Sequence, residues 1–260
     1  MDARFSHSAN IIGANGGMSE LARKTDLSQP STAKWSHLPA EHARVVETAP
    51  AMIRPPLQPD VEVDATKTDS LDDIGQARAQ EYALLAALLT RAPDAALLDR
   101  LAKLRGDASP LGVAHAALAE AALRTTPDRL QREYFDLFVG LGRGELLPYG
   151  SYYLTGFLHE RPLQRVRRDL VELGIERTAG NIEPEDHAAI LCEVMANLAS
   201  KRFAAPAGSD QRIFERHLKP WIGRFFSDLE RAETADFYAC VGTVGRVFME
   251  IETEAFALPS

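Results

Sequence analysis

The sequence predicts an all-α fold, and three observations carry that expectation. Proline recurs where the first turn of a helix tolerates it: Pro93, Pro110 after Ser109, Pro127 after Thr126, Pro162, Pro184 and Pro220. Between these prolines lie segments of roughly 10 to 20 residues rich in Ala, Leu, Glu and Arg, all good helix formers. No stretch alternates apolar and polar residues like a half-buried strand. Residues 70–258 are therefore expected to form a single globular helical domain of eight or more helices.

Residues 1–69 read differently. They mix Pro, Ser, Thr and charge without a sustained period, and are expected to be a mostly disordered extension with a short helix around Ala40 to Val46. Met18 and Met52 are alternative initiators. From Ser70 the punctuation becomes regular, and Ser70-x-x-Asp73 opens "LDDIGQARAQEYALLAALLTRA" like a capping box. Leu130, Tyr134, Leu137 and Phe138 fall on one helical face. Phe225, Phe226 and Leu229 follow a similar rule, as do Phe237, Val241, Val244 and Phe248.

Composition excludes several function classes. The 260 residues are 45% hydrophobic and 25% charged, an ordinary globular balance, with a net charge of −8. That charge argues against a general nucleic-acid binder, which carries a basic footprint. Cys192 and Cys240 are far apart in apolar helical contexts, so no disulfide framework or CxxC is read, and a reducing compartment is expected. No run approaches the ~18 apolar residues of a membrane span. The N-terminus lacks both a basic segment followed by an apolar core and a twin-arginine leader, and the expected location is the cytoplasm.

Four segments are candidates for chemistry. "GLGRGELLPYGSYYLTGF" (140–157) is the longest irregular stretch of the core, and Gly140, Gly142 and Gly144 invite a phosphate-binding reading. A dinucleotide fingerprint needs a preceding strand, whereas "PDRLQREYFDLFV" before it reads as helix, and no GK[ST] follows. Its tyrosines beside Pro148, Gly and Ser instead suit a surface that receives a peptide. In "EPEDH" (183–187), Pro184 is expected at the first helical position, with Glu183, Glu185 and Asp186 at the positive end of the helix dipole. Ile190, Leu191, Val194, Met195 and Leu198 form the predicted buried stripe, with His187 in its middle and Asp186 at its edge. Glu183 and His187 at i, i+4 could face one ion, but no further ligand set completes a zinc site, and no metal is expected. Asp186 with His187 lacks a nucleophile, and no catalytic residue is assigned. "RPLQRVRRDL" sets Arg161, Arg165 and Arg168 on one face, solvated or contacting an acidic client surface; Trp221 reads as a core or hinge residue.

The run "YFDLFVGLGRGELLPYGSYYL", then "EPEDHAAILCEVM", then "HLKPWIGRFFSDLERAETADFYACVG" resembles the TorD/DmsD family of redox enzyme maturation chaperones, over roughly residues 72–256. The resemblance implies an all-helical cytoplasmic chaperone, not an enzyme. Such a protein binds the twin-arginine signal peptide and apo-form of an exported molybdoenzyme, assists insertion of molybdopterin cofactor and prevents premature export. It implies a leader-binding surface made from Tyr134, Leu137 and Phe138, then Pro148, Tyr149 and Ser151, then Pro184, Asp186 and His187. Tyrosines stand at the first two places where some relatives carry tryptophan. The client would be a formate dehydrogenase or a dimethyl sulfoxide or trimethylamine N-oxide reductase, and some members bind guanine nucleotides weakly. No cofactor of the protein's own, no nucleic acid and no membrane insertion are implied.

The physics agrees with such a role. A twin-arginine leader offers two guanidiniums followed by an apolar stretch, so its receptor needs carboxylates beside an apolar groove. Asp186, flanked by Glu183 and Glu193, supplies the first, and Tyr134, Leu137, Phe138 and Tyr149 the second. A charged hydrogen bond to Arg is worth roughly 1.5–3 kcal/mol, a useful share of the about −8 kcal/mol of a micromolar peptide contact. The rival readings are a small nucleotide-binding protein or enzyme using the Gly140–Gly144 loop with Asp186 and His187, and a helical scaffold in which "EPEDH" is structural only.

Overall fold

Ala, Leu and Arg-rich segments punctuated by Ser-Pro and Thr-Pro pairs form helices where the sequence places them. The structure, a computed structural model, describes residues 52–54, 69–178 and 181–257, with the side chains of 54 and 69–73 left aside. Among these residues the helices are α1 (Asp69–Thr90), α2 (Ala95–Leu101), α3 (Pro110–Arg124), α4 (Pro127–Tyr134), α5 (Gly150–Thr155), α6 (Arg161–Glu172), α7 (Ala188–Ala199), α8 (Ser209–Ile213), α9 (Ile222–Arg231) and α10 (Phe237–Ala255). Two of them widen at the end into a π-turn, α4 through Phe135–Val139 and α8 through Phe214–Leu218. The all-α expectation holds.

Local signals account for several starts. Ser109 and Thr126 cap α3 and α4, each accepting a backbone N–H of the first turn, with Pro110 and Pro127 following as first helical residues. Pro162 is the second residue of α6. The other prolines do not open helices. Pro93 precedes the Asp94 cap of α2, while Pro184 and Pro220 occupy turns ahead of α7 and α9. The Ser70-x-x-Asp73 box lies in side chains outside those described, and α1 begins at Asp69. The expected helix at Ala40 to Val46 also falls outside the described residues.

α7 is the centre of the fold. Its predicted stripe is buried, and so is nearly the rest of its circumference, because Ala188, Ala189, Ala196 and Ala199 let neighbours approach on the other sides. α1 packs along it, α10 joins α9 and α3, and Phe225, Phe226, Leu229, Phe237, Val241, Val244 and Phe248 are buried as their spacing predicts. Cys192 is buried and Cys240 partly so.

Polar side chains then satisfy the helix ends. The Tyr134 hydroxyl donates to the carbonyls of Leu89 and Thr90, and that of Tyr238 to Leu88, closing off carbonyls left unpaired at the end of α1. Glu133 accepts the N–H groups of Asp236 and Tyr238 at the start of α10. In the core, Glu252 receives Arg78 through Nε and a terminal nitrogen (2.7 and 2.8 Å) and the Tyr82 hydroxyl (2.8 Å).

Met52–Arg54 form a finding that periodicity did not anticipate. They lie inside the stretch expected as an extension, the rest of which, Asp69 apart, is outside the described residues. Ile53–Arg54 (β1) pairs antiparallel with Glu176–Arg177 (β2), Ile53 opposite Arg177, and the Met52 and Ile53 side chains are buried. A two-residue pairing has no alternation to read.

Candidate functional site

The two segments "PYGS" and "EPEDH", 32 residues apart at their closest, meet across an antiparallel bridge between Tyr149 and His187. Gly150 N–H donates to the Asp186 carbonyl (2.9 Å), and Ala188 N–H to the Pro148 carbonyl (2.8 Å). The Tyr149 ring meets the His187 imidazole edge-on at 5.0 Å. Gly150 is needed here for space: a Cβ would stand 3.0 Å from the Trp221 indole nitrogen.

The expected dipole arrangement of "EPEDH" is corrected. Pro184 is not a first helical residue. The stretch Pro184–His187 is a turn closed by His187 N–H to the Pro184 carbonyl (3.0 Å), and α7 starts only at Ala188. His187 is itself the cap of α7, its Nδ1 accepting the Ala189 N–H (3.1 Å). That bond needs a neutral ring with its proton on Nε2, and burial holds the imidazole pKa below its usual value against the pull of Glu183 and Asp186. Asp186 caps a different helix. Its Oδ2 accepts the Ser151 N–H in the first turn of α5 (2.7 Å).

Each remaining acid is engaged differently. Glu183 accepts the Tyr149 hydroxyl (2.6 Å), and burial with that carboxylate pushes the Tyr149 phenol well up. Glu185 pairs with Arg167 of α6 (2.7 Å). Glu193, expected beside Asp186 as a client carboxylate, instead takes the Met52 N–H. Of these acids Asp186 keeps an oxygen, Oδ1, that is buried with no hydrogen-bond partner, as are the Ser151 hydroxyl and Asp169 Oδ1.

Tyr134 joins the group from behind, where burial together with the Glu183 carboxylate raises its phenol pKa. Its hydroxyl points into the core, however. Leu137 is fully buried, and Phe138 packs on Tyr134 and Tyr238. These three support the junction, and Leu137 offers no surface to a client.

Beside Asp186 lies a pocket of about 300 Å³ between α5, α6 and the end of α8. Val166, His217 and Trp221 line it with Asp186; Arg165, Arg216 and Leu154 also line it and are exposed, as are Phe157 and Leu158 a few residues further along the chain. His217 Nε2 is 2.7 Å from Asp169 Oδ2, which also pairs with Arg216 (2.9 Å), and the Trp221 indole donates to the His217 carbonyl (2.6 Å). Neither Asp169 nor Arg216 is singled out by the sequence motifs. A signal exists for Asp169: it falls three residues after Val166, on the apolar stripe of α6, where a charge demands a partner.

The glycine loop follows a helical segment and not a strand, as its sequence context indicates. Gly140, at φ +60°, donates its N–H back into the π-turn of α4, and Glu145 and Leu146 return bonds to Asp136 and Leu137. The loop therefore closes the carbonyl end of a helix, which favours cations over phosphates. Among the described residues no group of three or more His, Cys, Asp or Glu is placed to hold a metal ion, and no helix is long and apolar enough to cross a membrane.

With this geometry in hand, the comparisons are specific. A family model described as nitrate reductase delta subunit matches residues 104–227, which contain both halves of the junction. The Chaperone protein TorD of Aliivibrio fischeri is 28% identical over 138 residues, covering 49% of this chain and 64% of that protein. The TorD of Ferrimonas balearica is 28% identical over 160 residues, covering 60% and 73%. The chain thus spans just under two thirds of the length of the first of these relatives. A solved structure from Archaeoglobus fulgidus, of a candidate redox enzyme maturation protein, covers 73% of this chain at 18% identity with a TM-score of 0.45, too loose a superposition to build on. The named relatives are TorD chaperones, and the resemblance read from the motifs stands.

Proposed function

We propose that this chain, a relative of the TorD chaperones, is a cytoplasmic molybdoenzyme maturation chaperone that binds the twin-arginine leader of its client at the Tyr149–His187 junction. It would hold the apo-enzyme while molybdopterin cofactor is inserted and delay export until that is done. The client is of the formate dehydrogenase or dimethyl sulfoxide or trimethylamine N-oxide reductase type.

One observation carries the leader reading. Asp186 uses one oxygen on the α5 cap and keeps the other buried, unpartnered and beside a pocket. A buried acceptor left unpaired costs about 1–3 kcal/mol, which a guanidinium donor entering the pocket would recover. Leu154, Phe157 and Leu158 then offer an exposed apolar ledge for the hydrophobic stretch that follows the arginines. Arg165 and Arg216 act against a cationic guest. They are exposed, so water and salt weaken their repulsion.

Calorimetric titration of the full chain with a leader peptide, its Lys-Lys counterpart and the Asp186→Asn protein tests the proposal. Asn keeps an oxygen for the Ser151 N–H but loses the charge. Micromolar binding that fails with the Lys-Lys peptide and with folded Asp186→Asn is expected. Equal binding by wild type and Asp186→Asn would remove this acid from the site.

A further inference from the structure

The strand β1 lies outside the resemblance, yet hydrogen bonds tie it to the candidate site. Met52 N–H donates to both carboxylate oxygens of Glu193 on α7 (3.1 and 2.9 Å). The Met52 carbonyl accepts from Thr178 N–H (2.9 Å) and from the Asn181 side-chain amide (3.4 Å). Asn181 Oδ1 in turn accepts the Glu183 N–H (3.0 Å), and Glu183 holds the Tyr149 hydroxyl. A second route runs through β2: Arg177, opposite Ile53, donates to the Glu183 carbonyl (3.1 Å). Both routes end on the residue that fixes Tyr149 against His187.

A two-stranded pair this short is marginal by itself. What fastens it is the burial of Met52 and Ile53 and the Glu193 carboxylate beneath them. We propose that Met52–Arg54 is a strap that positions the client-facing turn Asn181–His187, with Asn181 as positioning residue and Glu193 as the fastening point. The function of the turn rests on the leader-receptor reading; the strap's hold on the turn does not.

Burial raises the Glu193 pKa to about 7, opposed by the N–H groups of Met52 and Ile53. No charged side chain among those described shifts it further, whether from α1, α7 or β2. The strap's N–H groups favour the carboxylate form, which is the form that fastens it.

Hydrogen exchange on the full chain reads this directly, at the Gly150 and Ala188 amides, which bond across the junction and touch neither variant residue. Ile53→Asp and, as the gentler change at a half-buried position, Asn181→Ala are expected to speed exchange there by about tenfold, leaving α9 and α10 unchanged. Leader affinity should fall several-fold in parallel. Faster exchange confined to residues 52–54 and 178 would overturn the strap. Should the exchange pattern hold while no leader binds the wild type, the leader reading fails and the strap stands. Should leader binding be normal while junction exchange stays unchanged in the variants, the strap fails and the leader reading stands.

Discussion

Glu252 and Asp186 are buried to the same degree, each 1% exposed, and the fold treats them in opposite ways. Glu252 has both oxygens bonded, to a two-pronged Arg78 and to the Tyr82 hydroxyl. Asp186 has one oxygen on a backbone N–H and one on nothing. A charge removed from water is costly unless paired, so the first arrangement joins α1 to α10 at little net cost. The second leaves a deficit open at the lip of a pocket. Equal burial therefore says little about role; the use of each oxygen says more, and Asp169, paired through Oδ2 with His217 and Arg216 but unbonded at Oδ1, stands between the two.

That contrast can be broken from the core side first. Arg78→Met strands Glu252 in the interior, and a loss of about 3 kcal/mol in unfolding free energy is expected from urea midpoints. Leader affinity per folded molecule should not change. Glu193 offers an intermediate test. Its pKa is raised from 4.5 to about 7 in the folded state, so the native chain binds more protons than the unfolded one between those values. Its contribution is therefore fully present below the unfolded pKa and fades as pH rises through 7. The amount is on the order of 3 kcal/mol, and Glu193→Gln should flatten that part of the stability profile between pH 5 and 8.

On the site side, Asp186→Asn should cost about 1.5–3 kcal/mol of leader binding by calorimetry while shifting the urea midpoint little. A midpoint that falls along with the affinity would place Asp186 with Glu252. The smallest effect is expected at the rim. Arg165→Ala removes an exposed like charge, and leader affinity should rise by less than about 1 kcal/mol at low salt, a gain that 0.5 M salt erases.

The sequence made the helical faces legible because one face repeats within a single segment: Leu130 with Leu137, Phe225 with Leu229. Ser109-Pro110 and Thr126-Pro127 marked helix starts for the same local reason. "PYGS" and "EPEDH" came together as the resemblance implied, but their roles could not be read. Asp186 sits next to α7 in the chain and caps α5, a partner 35 residues away. Pro184 looked like a helix opener because its neighbours are acidic, while the actual cap is the imidazole of His187. Tyr134 shared a stripe with Leu137, and only the position of Leu89 and Thr90 shows that its hydroxyl is used inside. The strap was invisible for a different reason: its anchors, Glu193 and Asn181, lie more than a hundred residues downstream.

The two π-turns have a consequence for how this chain can vary in length. Gly140 N–H reaches back five residues to Phe135 (2.7 Å), and Lys219 N–H five residues to Phe214 (2.9 Å), where a regular helix would reach four. Each turn therefore carries one residue more than an α-helix of the same span. Deleting a single residue from Phe214–Leu218 would let α8 continue regularly, but would rotate the downstream chain by about 100°. Either His217 would leave Asp169 or Trp221 would leave Gly150, and the pocket floor would be lost. Single-residue insertions and deletions are thus more consequential inside these two helices than in the surface loops, and a relative one residue shorter here would need a differently built pocket.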